Sequence, residues 1–281
     1  MRTLFLLAIL GLAACTTPKE KAEVPEDPTA ARTCGALSEA DKDAIKAVIE
    51  ESMEVIFSHD VATYCRLYAR NATEISGRGA VPDSYDVVIP FTSRLLFHGL
   101  RAGTQIKHVP NWTTRFARIE GNSCSAIVEG SVTFTFGEQY SEVDGLRAEL
   151  VKPDAQWQIA HSRDWIVSEA GKPRDLAPLD LAVEDAKAKQ VSSEELAWVL
   201  YEAMRYEEAF QVLKRALQEG PPNASLATLY STLAVNADHL DELIPAYRLM
   251  VELTAAEPLP PYIERVLARV DAGEELAITC P

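Results

Sequence analysis

The stretch HDVATYCRLYARNATEI, residues 59–75, changes its period in mid-course. Asp60 stands where a helix N-cap is wanted, and Val61, Tyr64, Cys65 and Tyr68 follow at spacings of three and four, so one side of a short helix carries two phenols and a thiol. Thr73 to Ser76 then reads as a small strand. Working backward, Ser38 with Asp41 forms a capping box. Ile45, Val48, Ile49, Met53, Ile56 and Phe57 continue it as an amphipathic helix of about five turns.

Working forward, a third helix ends near Gly99, and after Gly103 the period becomes two. Ile106, His108, Trp112 and Phe116 alternate with polar residues, with Pro110 marking a bulge, and Gly121-Asn122 turns the chain. Ala126, Val128, Val132, Phe134 and Phe136 form the apolar face of the next strand, and Leu146, Ala148 and Leu150 that of a third. After the Pro153-Asp154 turn, strict alternation sends Trp157, Ile159, His161, Arg163 and Trp165 to one face and Asp164 to the other. Helices followed by a long antiparallel sheet predict an α+β domain over residues 38–168.

The order of these elements resembles the nuclear transport factor two-like superfamily, which includes SnoaL-like proteins and ketosteroid isomerase. The quoted stretch is similar to that family's second helix entering its first strand, and DAQWQIAHSRDW (154–165) is similar to its final hairpin. The resemblance implies a cone, a curved antiparallel sheet wrapped on helices, with a pocket at its open end and pairing of two cones into a homodimer as one option. The implied ligand pocket takes Tyr64, Tyr68, His108, Trp112, His161, Arg163 and Trp165, whose imidazoles, phenols and apolar walls suit a small hydrophobic molecule. His108, His161 and Glu74 are the candidates for acid–base work. The family's isomerases use a pocket carboxylate as base. None of the inward positions assigned by alternation supplies one, which leaves Glu74 as the best-placed acid.

At the other end of the domain, Leu4 to Ala14 is apolar and uncharged behind Arg2, about half the length that a bilayer-crossing helix needs. A short apolar run after a basic start reads as an export signal over residues 1–14. Leu12-Ala13-Ala14-Cys15 resembles the lipobox of bacterial lipoproteins, which implies cleavage before Cys15, its acylation and stable membrane attachment. By the same resemblance Thr16, in place of an aspartate, directs the protein to the outer membrane, facing the periplasm. Residues 15–37 then form the anchor and a polar, proline-bearing tether. Cys34, Cys65, Cys124 and Cys280 fit no zinc spacing and in an exported chain suit one or two disulfides. Three complete pairings are open, and a buried free thiol at Cys65 is an alternative.

Residues 169–190 read as a linker, and SSEELAWVLYEAMRYEEAFQVLKRALQEGPPN (192–223) is similar to one tetratricopeptide repeat, with a weaker second copy over 224–257. A tetratricopeptide-like helical domain over 191–281 is therefore expected, and the resemblance implies a partner groove in which Glu194, Trp198, Tyr201 and Glu202 bind protein. With 281 residues, 47% of them hydrophobic, the chain has enough material for two cores. A net charge of -15 sets nucleic acid and anionic lipid surfaces aside as partners. No phosphate loop, nucleophile elbow or metal-ligand pattern is present, so neither cofactor nor metal is expected. The reading that follows is a membrane-anchored envelope lipoprotein acting as a non-catalytic binding or adaptor protein. The alternative is a SnoaL-like or isomerase-type enzyme, or a ligand binder, acting on a small hydrophobic molecule in the cone.

Overall fold

The computed structural model describes residues 33–104, 109–137, 140–253, 259–274, 276 and 278–281. The export signal, the anchor at Cys15, and His108 all lie outside the described residues. Among those described, no helix is long and apolar enough to cross a membrane.

Helix α1 (Glu39–Ser58) opens on the capping box: Ser38 Oγ accepts from the Asp41 amide at 3.1 Å, and the Asp41 carboxylate accepts from the Ser38 amide at 3.3 Å. That carboxylate also takes Lys152 Nζ at 2.7 Å and Trp157 Nε1 at 3.2 Å, which hold it far below the usual carboxylate range and fix the helix start to the sheet. His59 ends α1 in a left-handed turn, and Asp60 caps α2 (Val61–Leu67) through the Ala62 amide at 3.0 Å. Strand β1 (Tyr68–Gly77) follows without a break, earlier than the expected start at Thr73. Then come β2 (Val87–Pro90), α3 (Phe91–Arg101), β3 (Asn111–Gly121), β4 (Ser125–Phe136), β5 (Tyr140–Val151), β6 (Gln158–Glu169) and β7 (Lys172–Pro173).

The strand order is β2-β1-β6-β5-β4-β3, with β7 on β6. All pairs are antiparallel except β1 with β6, which run parallel because both leave the same end of the cone. There Gln158 Nε2, at the start of β6, donates to the carbonyl of Arg66 on α2 at 3.3 Å. The sheet is thus mixed, and the α+β cone expected from the sequence is what the chain forms. Its core joins Ile45, Ile49 and Met53 of α1 to Val128, Val132, Leu146, Ala148, Leu150 and Ile159 of the sheet. Each such side chain apart from Ala148 contributes about 1.5–3 kcal/mol on burial.

The region read as a linker contains β7 and α4 (Ala177–Lys189), whose Val183 and Ala186 are buried among the helices that follow. These are α5 (Ser193–Glu202), α6 (Tyr206–Glu219), α7 (Ala224–Asn236), a 3-10 turn (Leu240–Glu242), α8 (Leu243–Leu253) and α9 (Pro261–Asp271). Pro245 falls in the first turn of α8, where no intrahelical amide bond is lost. The C-terminal region is helical, as expected, and it is packed on the cone. Leu100 of α3 shares a cluster with Ala234, Leu243, Tyr247, Ile263 and Val266. Arg78, after β1, donates from Nε to the Ala203 carbonyl at 2.9 Å and pairs with Asp180 at 2.7 Å.

Disulfides Cys34–Cys124 and Cys65–Cys280 select one of the three pairings and replace the free thiol considered at Cys65. The first, with the bond from the Gly35 amide to Ser123 Oγ at 2.9 Å, pins residues 34–36, the last part of the segment read as tether, to the β3–β4 turn. The second carries the C-terminal tail back to α2. On the way Ile278 fills the space that a side chain at Gly99 would occupy, 2.3 Å from an added Cβ.

Candidate functional site

Between α1 and the inner face of the sheet lies a cavity of about 330 Å3 at the mouth of the cone, continued inward by a smaller recess of about 80 Å3. Both share Ser52, Ile56, Tyr68, Glu74, Phe134, Asp144 and Asp164 as lining, so they form one space.

Strict alternation along β6 fails at two residues, Val167 near its end and, decisively for the cavity, Ala160 near its start. The pairing steps from Glu149↔His161 to Leu150↔Ile159, which leaves Ala160 as an extra residue and reverses the faces beyond it. Cross-strand partners fix the outcome, since residues opposite one another share a face. Ser162 and Asp164 sit opposite Ala148 and Leu146, both in the core, while His161 and Arg163 sit opposite Glu149 and Arg147. Arg147 pairs with Glu129 at 3.0 Å, and both are open to solvent on the outer face.

The expected placement of His161, Arg163 and Trp165 inside, with Asp164 outside, is therefore inverted. His161 is exposed, and its Nδ1 hydrogen-bonds Thr73 Oγ1 at 2.6 Å. Arg163 still borders the inner recess, but its guanidinium is buried against the loop after β1, paired with Asp86 and donating to the Gly79 carbonyl at 2.8 Å. Trp165 lies over Gly145, where an added Cβ would be 2.2 Å from its ring. Trp112 packs inward but stacks on Phe57 at 5.6 Å and does not line the cavity.

The polar floor comes from β1, β5, β6 and α3. Glu74 accepts from Arg94 Nε at 2.9 Å and from the Tyr64 hydroxyl at 3.2 Å. Tyr64 and Tyr68 stack at 4.5 Å, and burial raises both phenols so that they stay protonated. Burial raises the Asp144 carboxyl to about 8, with Glu142 and Asp164 adding to it. Asp164 keeps solvent contact through the open cavity, yet desolvation, opposed by Arg94 and helped by Glu74, raises it to about 6. Asp144 Oδ1 is buried without a hydrogen-bond partner. The wall is apolar: Met53, Ile56, Phe97, Phe134 and Phe136. Among the described residues no group of acids and histidines is arranged to hold a metal ion.

Sequence reasoning missed Asp144, Asp164, Arg94 and His98. Asp144 was within reach: the period that sets Leu146, Ala148 and Leu150 inward places Asp144 and Glu142 on the same face two and four residues earlier. At the back of the cavity His98 and His59 meet Nδ1 to Nδ1 at 3.1 Å, and burial lowers them to about 3 and about 4. A neutral pair satisfies that contact, one ring donating and the other accepting.

The four residues read as a partner groove sit on α5. Trp198 Nε1 donates to Ser225 Oγ at 3.1 Å and its ring meets Tyr201 edge-on at 5.8 Å. Glu194 accepts from Asn223 Nδ2 at 3.1 Å and 3.2 Å, and the Glu202 carbonyl accepts from Arg174 at 3.4 Å.

No family model and no curated protein matches the chain. Among solved structures, the chain is similar to an NTF2-like protein of unknown function from Silicibacter pomeroyi DSS-3, at 12% identity over 45% of this chain and 96% of that one, with a TM-score of 0.34. It is likewise similar to an NTF2-like protein of unknown function from Methylobacillus flagellatus KT, at 16% identity over 48% and 99%, TM-score 0.34. A third is a protein of unknown function with a cystatin-like fold from Nostoc punctiforme PCC 73102, at 16% identity over 47% and 94%, TM-score 0.34.

Proposed function

We propose that the cone binds a small, largely apolar molecule bearing one polar group, and that Asp144 and Asp164 exchange a proton with that group. The observation that carries this reading is the geometry: Asp144 and Asp164 line one apolar-walled cavity, where burial favours the protonated form of both, toward about 8 and about 6. Near neutral pH such a pair has one member protonated and one mainly ionised, the division of roles that acid–base catalysis requires. Glu74, tied to Arg94 and Tyr64, positions the phenols rather than acting as the base. The cone is favoured over the α5 groove because Glu194 and Trp198 already have partners within the chain. An adaptor role for that groove would require those bonds to open.

The protein is further read as an envelope lipoprotein held by acylated Cys15, with the cone lifted off the outer membrane on the periplasmic side. Two disulfides in the folded body support an oxidising compartment. Intact mass of the membrane-extracted protein tests the anchor: acyl mass on Cys15 is expected, and an unmodified soluble chain contradicts it. Native mass spectrometry of the protein exposed to small molecules from its own envelope extract tests the cone. One retained ligand, lost on Asp164→Asn with folding intact, is expected. Retention of nothing, or retention indifferent to Asp164→Asn, contradicts the assignment.

A further inference from the structure

Beside the mouth of the cone lies a second cavity, of about 570 Å3, which the proposed chemistry does not use. One wall belongs to the cone, with Phe97 and Arg101 on α3, and the other to the helical region, with Thr228, Ser231 and Thr232 on α7 and Tyr262 on α9. The Arg101 guanidinium is held between two rings, 4.5 Å from the centre of Phe97 and 5.0 Å from that of Tyr262. Its Nη2 donates to the Tyr262 hydroxyl at a long 3.4 Å, the guanidinium also hydrogen-bonds the Tyr247 hydroxyl, and its Nε is buried and meets no acceptor.

Among the described residues no carboxylate lies within ion-pair reach of it. The other arginines pressed into the interior, Arg78, Arg94, Arg163, Arg174 and Arg205, each pair with an acid. In a chain with 42 acidic against 27 basic residues, the unmatched one stands out. A guanidinium held by two aromatic rings has its donor fork constrained, an arrangement that suits an oxyanion. The hydroxyls of α7 lie across the cleft as further donors, and Phe57, Phe97 and Val235 offer apolar surface beside it.

We propose that this cleft binds a small amphiphilic oxyanion, a carboxylate or a phosphate monoester on an apolar chain, with its head group on Arg101. A cation in the last turn of α3 also interacts favourably with the helix C-terminus, and that role alone would leave the cleft without a ligand. Calorimetric titration of the full-length protein with decanoate, decyl phosphate and decylammonium separates these cases and the two head groups.

At least one of the anions is expected to bind and decylammonium not to. Arg101→Met is expected to weaken anion binding at least tenfold, and Ser231→Trp, which fills the cleft from the opposite wall, to do the same. Asp164→Asn is expected to change it less than twofold. The proposal is overturned if neither anion binds or if decylammonium binds as well. It is equally overturned if Arg101→Met lowers the melting temperature without changing binding, or if Asp164→Asn abolishes binding and so places the ligand in the cone. Should Arg101→Met fail to fold, Ser231→Trp decides alone.

Discussion

The cavity of the cone and the cleft beside it share Ile56, Phe57, Arg94 and Phe97, yet they are opposite in charge and in origin. The cavity is walled by the cone's own elements and gathers Glu74, Asp144 and Asp164. The cleft holds Arg101 and exists only because α7, α8 and α9 dock against α3. One site thus depends on strand alternation and a bulge, the other on how two regions are held together. Perturbations that act on one and spare the other test that division.

The largest expected effect falls on the cavity alone. Asp164→Asn should lower turnover of a cavity ligand by about 100-fold or more, the usual contribution of a positioned base, while anion binding at Arg101 persists. A steady-state assay and the decanoate titration on the same preparation check both halves.

Next comes the fastening between the regions. Cys65–Cys280 closes a loop of 215 residues, for which chain entropy gives roughly 5 kcal/mol as an upper figure. Cys65→Ser with Cys280→Ser should lower stability by roughly 2–5 kcal/mol in urea unfolding and weaken anion binding more than ligand binding in the cone. Gly99→Ala acts on the same tail by pushing against Ile278 and should cost about 1–3 kcal/mol. Because both changes release one segment, the glycine effect should shrink in the cysteine-free background, which a double-mutant cycle measures.

A third comparison uses pH, which acts on the cavity floor and on the buried histidine pair independently. Asp144 keeps in the folded state a proton that the unfolded chain loses above about pH 4, so its contribution to stability declines as pH rises from there toward about 8. His59 and His98 stay neutral where the unfolded chain takes up protons, so stability declines as pH falls from about 6.5 toward about 4 and about 3. Asp144→Asn should raise the melting temperature, by more at pH 8.5 than at pH 4, and His98→Asn should flatten the acid limb if the fold tolerates it. Thermal scans across this range test each limb separately, the acid limb reporting on the histidine pair and the alkaline limb on Asp144.

These differences also explain what could be read from the sequence. The capping box at Ser38, the period change after Tyr68 and the strand alternation suffice for the cone, because each is a local signal with a local cause. The inner face was legible up to Ile159 and illegible after it: nothing in IAHSR (159–163) announces that Ala160 is the bulged residue, and that single residue exchanged His161 and Arg163 for Ser162 and Asp164. Asp144 was overlooked because a carboxylate on an otherwise apolar face reads as the end of the strand. Arg101 carries no sequence signal, since its significance arises from Tyr262, 161 residues later.

Carboxyl titration by carbon-13 NMR, with Asp144→Asn and Asp164→Asn to assign the resonances, tests the acid–base reading most directly. Midpoints near 8 for Asp144 and near 6 for Asp164 are expected. Midpoints for both in the ordinary aspartate range, near 4, would contradict it.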